Sequence, residues 1–463
     1  MDATRFSPRT IGLLLSDTAI IYSGIILALC LRLGLEGTIY QLNENNGWLK
    51  VTFAALVCIL ILYFYDLYDY TVMSNRRELF LRVIQSLGVA WALLALLFYF
   101  VPPMMIGRGT SVYSVIIVLV LLLAWRSLIH LLTGHPEIGE KILLVGTGKT
   151  AIETAEAVLE RRDAGYRIIG FVTENGIKPQ TKIAGLNVLG TTDELESIIK
   201  RENVDRIVIA VRERRGNFPI ETLLRMSLAG DVSIEECTSF FERVTGQVHV
   251  DMLRPSWLIF AGRRRETRLK SALREIVHRS LALVGLILSF PIALLTAILI
   301  KLESKGPIFY RQERVGKNGR IFEVIKFRSM RVDAEKDGVP VWASANDDRM
   351  TRVGRIIRKI RVDEIPQFWN ILKGEMSFVG PRPERPHFVE QLAREIPFYE
   401  HRHLTTPGLT GWAQIKYPYG ASVEDARQKL QYDLYYIKNQ SLALDLVIVF
   451  ETIKTVLFSR GGR

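Results

Sequence analysis

Apolar residues gather into four long runs near the start of the chain and a fifth further on, with alternating patterns between and after them. Ile11 to Leu31, Trp48 to Leu67, Leu79 to Val101 and Ser111 to Leu132 each approach the roughly 20 mainly apolar residues that a bilayer core requires. The spacing therefore predicts a membrane protein with a four-helix transmembrane bundle over residues 1–135. Arg5 and Arg9 precede the first run, Arg76 and Arg77 separate the second from the third, and Arg126 and Lys141 mark the end of the fourth. The other loops offer mainly Arg32, Lys50 and Arg108, so both ends of the bundle are expected on the cytoplasmic side. No small-residue cleavage site precedes Leu31 and Arg32, which reads as an uncleaved anchor. Asp17 interrupts the first run close to its cytoplasmic end, where it can face the bundle or the headgroups.

After Pro136 the period changes. Lys141 to Val145 reads as a buried strand, Gly146-Thr147-Gly148-Lys149-Thr150-Ala151 as a turn opening the helix Ala151 to Arg161, and Tyr166 to Val172 and Arg206 to Val211 as further strands. With a helix over Asp193 to Arg201, this predicts a Rossmann-like α/β domain over residues 136–250. A glycine turn entering a helix suits pyrophosphate. The acid expected near the end of the second strand is represented only by Glu174, several residues late, so nucleotide binding and homodimerisation both remain open as its task. Thr238 to Phe260, leading into a connector over 251–270, carries Phe240, Phe241, Trp257 and Phe260, which suit either a membrane interface or ordinary packing.

Leu281 to Ile300 is twenty residues without a charge, enough to span. Yet basic residues crowd both flanks, from Arg263 to Arg279 and from Lys301 to Arg320, and Pro291 lies midway. A re-entrant membrane helix over 280–301, broken at Pro291, keeps both flanks in the cytoplasm. The C-terminal domain, residues 271–463, is then a mainly α monotopic domain on the cytoplasmic face. Its helices Val423 to Lys438 and Ala443 to Phe458 are expected on the membrane surface, with core packing as the alternative.

The chain has 463 residues, 49% of them apolar, with 23% charged and a net charge of +12. That balance fits anionic partners: membrane lipids, a lipid phosphate or a nucleotide diphosphate. Without a nucleic-acid motif, nucleic acid is not expected as a partner. Cys30, Cys58 and Cys237 have no paired spacing and read as small hydrophobes.

The densest chemistry lies between Arg358 and Pro383. Asp363 and Glu364 follow Arg355, Arg358, Lys359 and Arg361 and precede Pro366 and Gln367. Cations keep a carboxylate ionised, an ionised aspartate can attack phosphorus, and a neighbouring glutamate can hold Mg²⁺. By charge pattern alone the two read more readily as first-turn acids of a helix, with Pro366 permitted in the same turn. Lys326 and Arg328 alternate with Phe327 after a strand-like run and should point the same way, toward a phosphate or toward water. In Pro381-Arg382-Pro383 an arginine is flanked by restricted backbone, which suits a preorganised clamp for phosphate but on these residues alone is only a loop. Gly408 and Gly411 flank Thr410 in a turn leading to Trp412 and Gln414.

Asp363-Glu364-Ile365-Pro366-Gln367, Asn370 to Ser377, Val379 to Pro383, Gly306 to Phe309, Gln312 with Arg314, Ile325 to Met330, Pro407 to Gln414, Tyr435 and Asp445 together resemble the bacterial sugar transferases, over roughly residues 270–460. The large exopolysaccharide-type members of that family have the four-helix front and Rossmann-like middle described above. The resemblance implies transfer of hexose 1-phosphate from a UDP-sugar to polyprenyl (undecaprenyl) phosphate, releasing UMP, at the bacterial inner membrane. It implies double displacement with Asp363 as nucleophile, Glu364 as ligand of a Mg²⁺ cofactor, and Lys326, Arg328, Arg358, Gln367, Pro381, Arg382, Pro383 and Gln414 as substrate-binding residues, with Pro291 as the helix break. The chain departs from the pattern at His278, where aspartate is common, at Phe290, where serine usually precedes the proline, and at Thr406, usually basic. Two other classes share some of these features: a membrane-anchored NAD-dependent nucleotide-sugar dehydratase, whose usual Tyr-x-x-x-Lys pair has no counterpart here, and a non-enzymatic scaffold for polysaccharide assembly. The hexose is not specified; glucose, galactose, an N-acetylated sugar and a deoxy sugar all fit.

Overall fold

A computed structural model describes residues 8–44, 46–65, 67–68, 76–133, 140–161, 166–173, 181–211, 220–230, 232–250, 268–331, 349–418, 420 and 422–457. The chain divides into two compact units, Met1–Phe240 and Phe241–Arg463.

The first unit opens with helices α1 (Pro8–Asn43), α2 (Gly47–Phe64), α3 (Arg76–Phe100) and α4 (Arg108–Thr133). They bury Ile25 and Leu29 against Ala54, Cys58, Leu87 and Leu94, while Leu15, Leu56, Leu96, Ile116 and Val120 face outward. Helices apolar on both faces belong in lipid, and all four are long and apolar enough to cross a membrane. Gly34, at φ 71° and ψ 175°, is not helical and kinks α1, and a further helical stretch follows it to Asn43, twelve residues past the expected end at Leu31. Asp17 faces the bundle: its Oδ2 lies 2.5 Å from Arg126 Nη2, both buried, with the guanidinium 5.4 Å from the Tyr68 ring centre.

Next comes a sheet of β1 (Glu140–Val145), β2 (Tyr166–Thr173), β3 (Lys182–Ile183), β4 (Leu186–Thr191), β5 (Arg206–Ile209) and β6 (Ser233–Glu236), in the order β3-β4-β2-β1-β5-β6. All neighbours are parallel except β3 and β4. The apolar run of β1 is fully buried, as a strand covered on both faces must be. Leu143 and Val145 pack with Leu195, Ile198 and Ile199 of the helix Leu195–Glu202. The glycine turn leads into the helix Lys149–Glu160 with Gly148 as N-cap, so this Rossmann-like reading of the middle region holds. Glu174 and the connector residues Trp257 and Phe260 lie outside the described residues.

The helix Cys237–Thr245 runs across the division between the units. Residues 241–250, grouped by sequence with the middle domain, pack within the second unit. Gly246 O accepts from Trp412 Nε1 at 2.8 Å, Val248 N donates to Gln431 O at 3.0 Å, and Glu242 Oε2 pairs with Lys438 Nζ at 2.6 Å.

The fifth apolar helix, α5 (Arg268–Glu303), has Pro291 inside it. Helical structure continues through Pro291, so the proline does not divide α5 into two helices; its fixed φ suits a helix and its missing N–H removes one backbone bond. Two hairpin strands, β7 (Phe309–Val315) and β8 (Ile321–Phe327), pair antiparallel. Strands β9 (Ser377–Val379) and β10 (Gly408–Thr410) pair in parallel. Of the two helices expected on the membrane surface, α6 (Val423–Asn439) buries every residue from Leu430 to Ile437 and is a core helix instead. α7 (Leu442–Leu457) buries Leu444 and Ile448 but exposes Leu446, Phe450 and Ile453.

Candidate active site

The acidic pair stands on a short turn between two helices. The first, Arg352–Lys359, starts at Thr351, whose hydroxyl accepts from Gly354 N at 2.9 Å, a helix cap. Arg361 then adopts φ 61°, uncommon for a residue with a Cβ, and reverses the chain into the 3-10 turn Val362–Glu364. The second helix, Gln367–Lys373, follows Pro366. Asn370 fastens that helix to β8: its Oδ1 accepts from Ile325 N at 3.1 Å and its Nδ2 donates to Glu323 O at 2.7 Å. The bolt fixes Lys326, the next residue of β8, beside the turn.

The two carboxylates end in opposite environments. Glu364 Oε1 receives Arg382 Nη2 at 2.6 Å and Lys326 Nζ at 3.3 Å, with Arg361 Nη1 at 3.8 Å. Burial pushes the Glu364 carboxyl upward, but the charges of Arg382, Lys326 and Arg361 outweigh it and hold the group well below its usual range. Asp363 is 7% exposed and its Oδ1 has no hydrogen-bond partner. Burial raises its pKa, the Glu364 charge raises it further, and Lys326, Arg358 and Arg361 only partly oppose this. Surrounding cations were expected to keep Asp363 ionised; they settle on Glu364. Burial lowers the Lys326 pKa and Glu364 opposes the shift.

The clamp arginine sits on a loop that closely approaches a second loop. A Cβ on Gly408 would lie 2.6 Å from Gly380 Cα, so only glycine lets the two strands leave in register. Pro381 O accepts from Gly408 N at 2.9 Å. Arg314 Nη1 donates to Pro383 O at 3.0 Å, and Arg402 Nη2 donates to Arg382 O at 2.9 Å.

Of the residues singled out by sequence, Asp363, Glu364, Lys326 and Arg382 come together, and Arg358 is near enough for its charge to act on Asp363. Gln367 is buried one helical turn on, with Nε2 unpartnered, and Gln414 buries an unpartnered Oε1. Arg328 departs from expectation. Its guanidinium donates to Ser304 O at 2.9 Å, Ser304 Oγ at 2.8 Å and Lys305 O at 3.1 Å, closing the end of α5 instead of reaching the acidic pair. Sequence reasoning missed the tie from Asn370 to β8, and the buried pair Arg402 and Asp433. Nothing near either of the last two in sequence signals the other.

The model of the family described as bacterial sugar transferase matches residues 269–459. The UDP-glucose:undecaprenyl-phosphate glucose-1-phosphate transferase of Xanthomonas campestris pv. campestris is 32% identical over 358 residues, 73% of this chain and 72% of that protein. The chain belongs to the bacterial sugar transferase family. Among other family members, the UDP-N-acetylgalactosamine-undecaprenyl-phosphate N-acetylgalactosaminephosphotransferase of Aeromonas hydrophila is 45% identical over 245 residues, 52% of this chain. The undecaprenyl-phosphate glucose phosphotransferase of Komagataeibacter xylinus is 31% identical over 348 residues, 72% of this chain. The matched regions span 56% of the Aeromonas protein and 62% of the Komagataeibacter protein. A second model, described as a CoA-binding domain, matches residues 63–217. In this transferase family member, the region matched by the first model holds the whole acidic and basic cluster described above.

Proposed function

We propose that the protein transfers hexose 1-phosphate from a UDP-sugar to polyprenyl phosphate in the bacterial inner membrane, releasing UMP. The observation that carries this is the pairing of a buried Asp363, whose Oδ1 is unpartnered, with a Glu364 whose Oε1 is engaged by cations; the names of the relatives point the same way. In the first step an Asp363 oxygen attacks the β-phosphorus. The bond from that phosphorus to the oxygen bridging the two phosphates breaks, and UMP leaves with the electron pair. In the second, a phosphate oxygen of the lipid attacks the same phosphorus and the Asp363 carboxylate leaves. Lys326 and Arg382 sit where they can hold phosphate oxygens, and the donor amide of Gln367 is free to meet the same group.

Mg²⁺ fits this pair. The cations all fall on Glu364 Oε1, and Asp363 Oδ1 is unpartnered, so one or two carboxylate oxygens can be joined by phosphate oxygens and water, as this ion prefers. Bound there, the ion supplies positive charge against the diphosphate.

The re-entrant course of α5 is part of the same proposal. Its two halves contact one set of elements. Near the start, Ala282 shares a cluster with Val324 and Ile371; near the end, Ile300 packs with Phe327 and Ile357. Val324 and Phe327 are three residues apart on β8, about 10 Å, whereas 18 helical residues extend about 27 Å. A bend at Pro291 reconciles the two and leaves both basic flanks on the cytoplasmic side. For the middle domain we propose binding of a nucleotide-like ligand or homodimer formation.

The test incubates detergent-purified protein with UDP-glucose, UDP-galactose and UDP-N-acetylgalactosamine, with polyprenyl phosphate and Mg²⁺. UMP release with at least one donor is expected. Release of UDP would indicate glycosyl transfer without the phosphate and would overturn the reading.

A further inference from the structure

The Pro381-Arg382-Pro383 loop carries the arginine closest to Glu364, yet two of its three residues have no N–H. Its backbone is therefore held mainly through carbonyls, and each carbonyl has a named donor. Gly408 N holds Pro381 O, Arg314 Nη1 holds Pro383 O, and Arg402 Nη2 holds the carbonyl of Arg382 itself. Arg402 is 6% exposed. The same guanidinium donates to Asp433 Oδ2 at 2.9 Å and, through Nη1, to Tyr399 OH at 2.7 Å, with the Tyr399 ring centre 5.2 Å from its central carbon. Asp433 lies on α6, the core helix, and is 2% exposed.

We infer that Arg402 and Asp433 are positioning residues for the reaction: the pair fixes the Arg382 backbone from behind so that its side chain reaches Glu364 and the substrate phosphate. The inference rests on the transferase reading above. Several facts favour this role over simple core filling. A buried ion pair is weak support for stability, because desolvation offsets most of the attraction, and apolar residues would fill the same space. Here the arginine has a geometric task that apolar residues cannot do, since one planar fork links the carboxylate, the phenol and the carbonyl. Lysine carries the charge but not the fork. Phe398, at φ 62°, opens the turn Tyr399–Leu404 that carries Arg402 in a conformation residues with a Cβ seldom take. Such local strain persists where the surroundings over-determine it, as at positioning sites. Burial holds Asp433 up at about 6 while Arg402 opposes the rise.

The experiment is a double-mutant cycle on UMP release by the full-length protein, with Arg402→Lys, Arg382→Lys and both together. Arg402→Lys should lower kcat about 100-fold, the scale of a 1 Å misplacement of a catalytic group, with the KM for UDP-sugar changed far less. In the Arg382→Lys background the same substitution should have nearly no further effect, because the residue acts through Arg382. Two multiplying losses would show that Arg402 acts independently and would overturn the inference. Tyr399→Phe and Asp433→Asn provide milder steps should Arg402→Lys fold poorly. Each should lower kcat in wild type and not in Arg382→Lys, and losses that persist in that background again reject the role. If the wild-type protein releases no UMP, the transferase reading itself fails; an active wild type with additive losses removes only the positioning role.

Discussion

Because burial and the charge of Glu364 both raise Asp363, the proposed nucleophile must lose its proton at a higher pH than an ordinary aspartate. The acid limb of kcat/KM for UMP release should therefore lie above 3.8, the usual aspartate value. Glu364→Gln removes one of the two raising influences, so the limb of the residual activity should move to lower pH; a limb that stays or moves up would contradict the assigned electrostatics. Asp363→Asn should abolish transfer with an unchanged thermal midpoint, since an amide cannot attack, and mass mapping of a trapped phospho-sugar adduct should find it on Asp363 alone. Arg328→Met should do the reverse, lowering stability by about 2 to 3 kcal/mol through lost charge-assisted hydrogen bonds while kcat/KM changes little; a selective loss of activity would return Arg328 to the substrate site. The acidic pair was legible in the sequence because two adjacent acids stood in a basic stretch. Which acid takes the cations was not, because the left-handed backbone of Arg361 and the fold bring Arg382 from 18 positions away onto Glu364.

At the scale of elements, α5 is anchored at both ends within one unit. His278 Nδ1 meets Ser377 Oγ at 2.5 Å and its Nε2 lies 3.1 Å from Asp445 Oδ2. At the far end, Glu303 accepts from the backbone N of Arg352 and Val353 at 2.6 and 3.0 Å. The histidine that departs from the family pattern is thus a joint between α5, β9 and α7, a role no local pattern announces. Single cysteines at Lys270 and Lys317, in a background lacking Cys30, Cys58 and Cys237, should both resist an impermeant thiol reagent in intact cells. Labelling of Lys317Cys alone would show that α5 spans. Pro291→Leu should shift part of the population toward that pattern by restoring the missing backbone bond. The period of the apolar residues revealed α5 and the sheet, but could not separate the core helix α6 from a surface helix. Burial all round α6 comes from elements far away in sequence.

For the whole molecule, the division at Phe240 matters for where the catalytic part begins. A truncation starting at Arg268 loses Gly246, Val248 and Glu242 as partners of Trp412, Gln431 and Lys438, whereas one starting at Phe241 retains them. The longer version should keep UMP release and melt several degrees higher than the shorter, as a loss of about 2 kcal/mol would produce in a domain of about 200 residues; equal midpoints would mean that the contacts of Glu242, Gly246 and Val248 add nothing. Neither version will behave as a water-soluble enzyme. Leu283, Ile287, Leu288, Leu295 and Ile298 of α5 are exposed, and only 11% of its most apolar stretch is covered by protein. Washing vesicles with about 1 M salt shortens the reach of charge to about 3 Å but leaves apolar burial untouched. The shortened enzyme should therefore stay in the pellet through salt and leave only with detergent, so a purification that removes the first 240 residues to gain solubility will not dispense with the micelle.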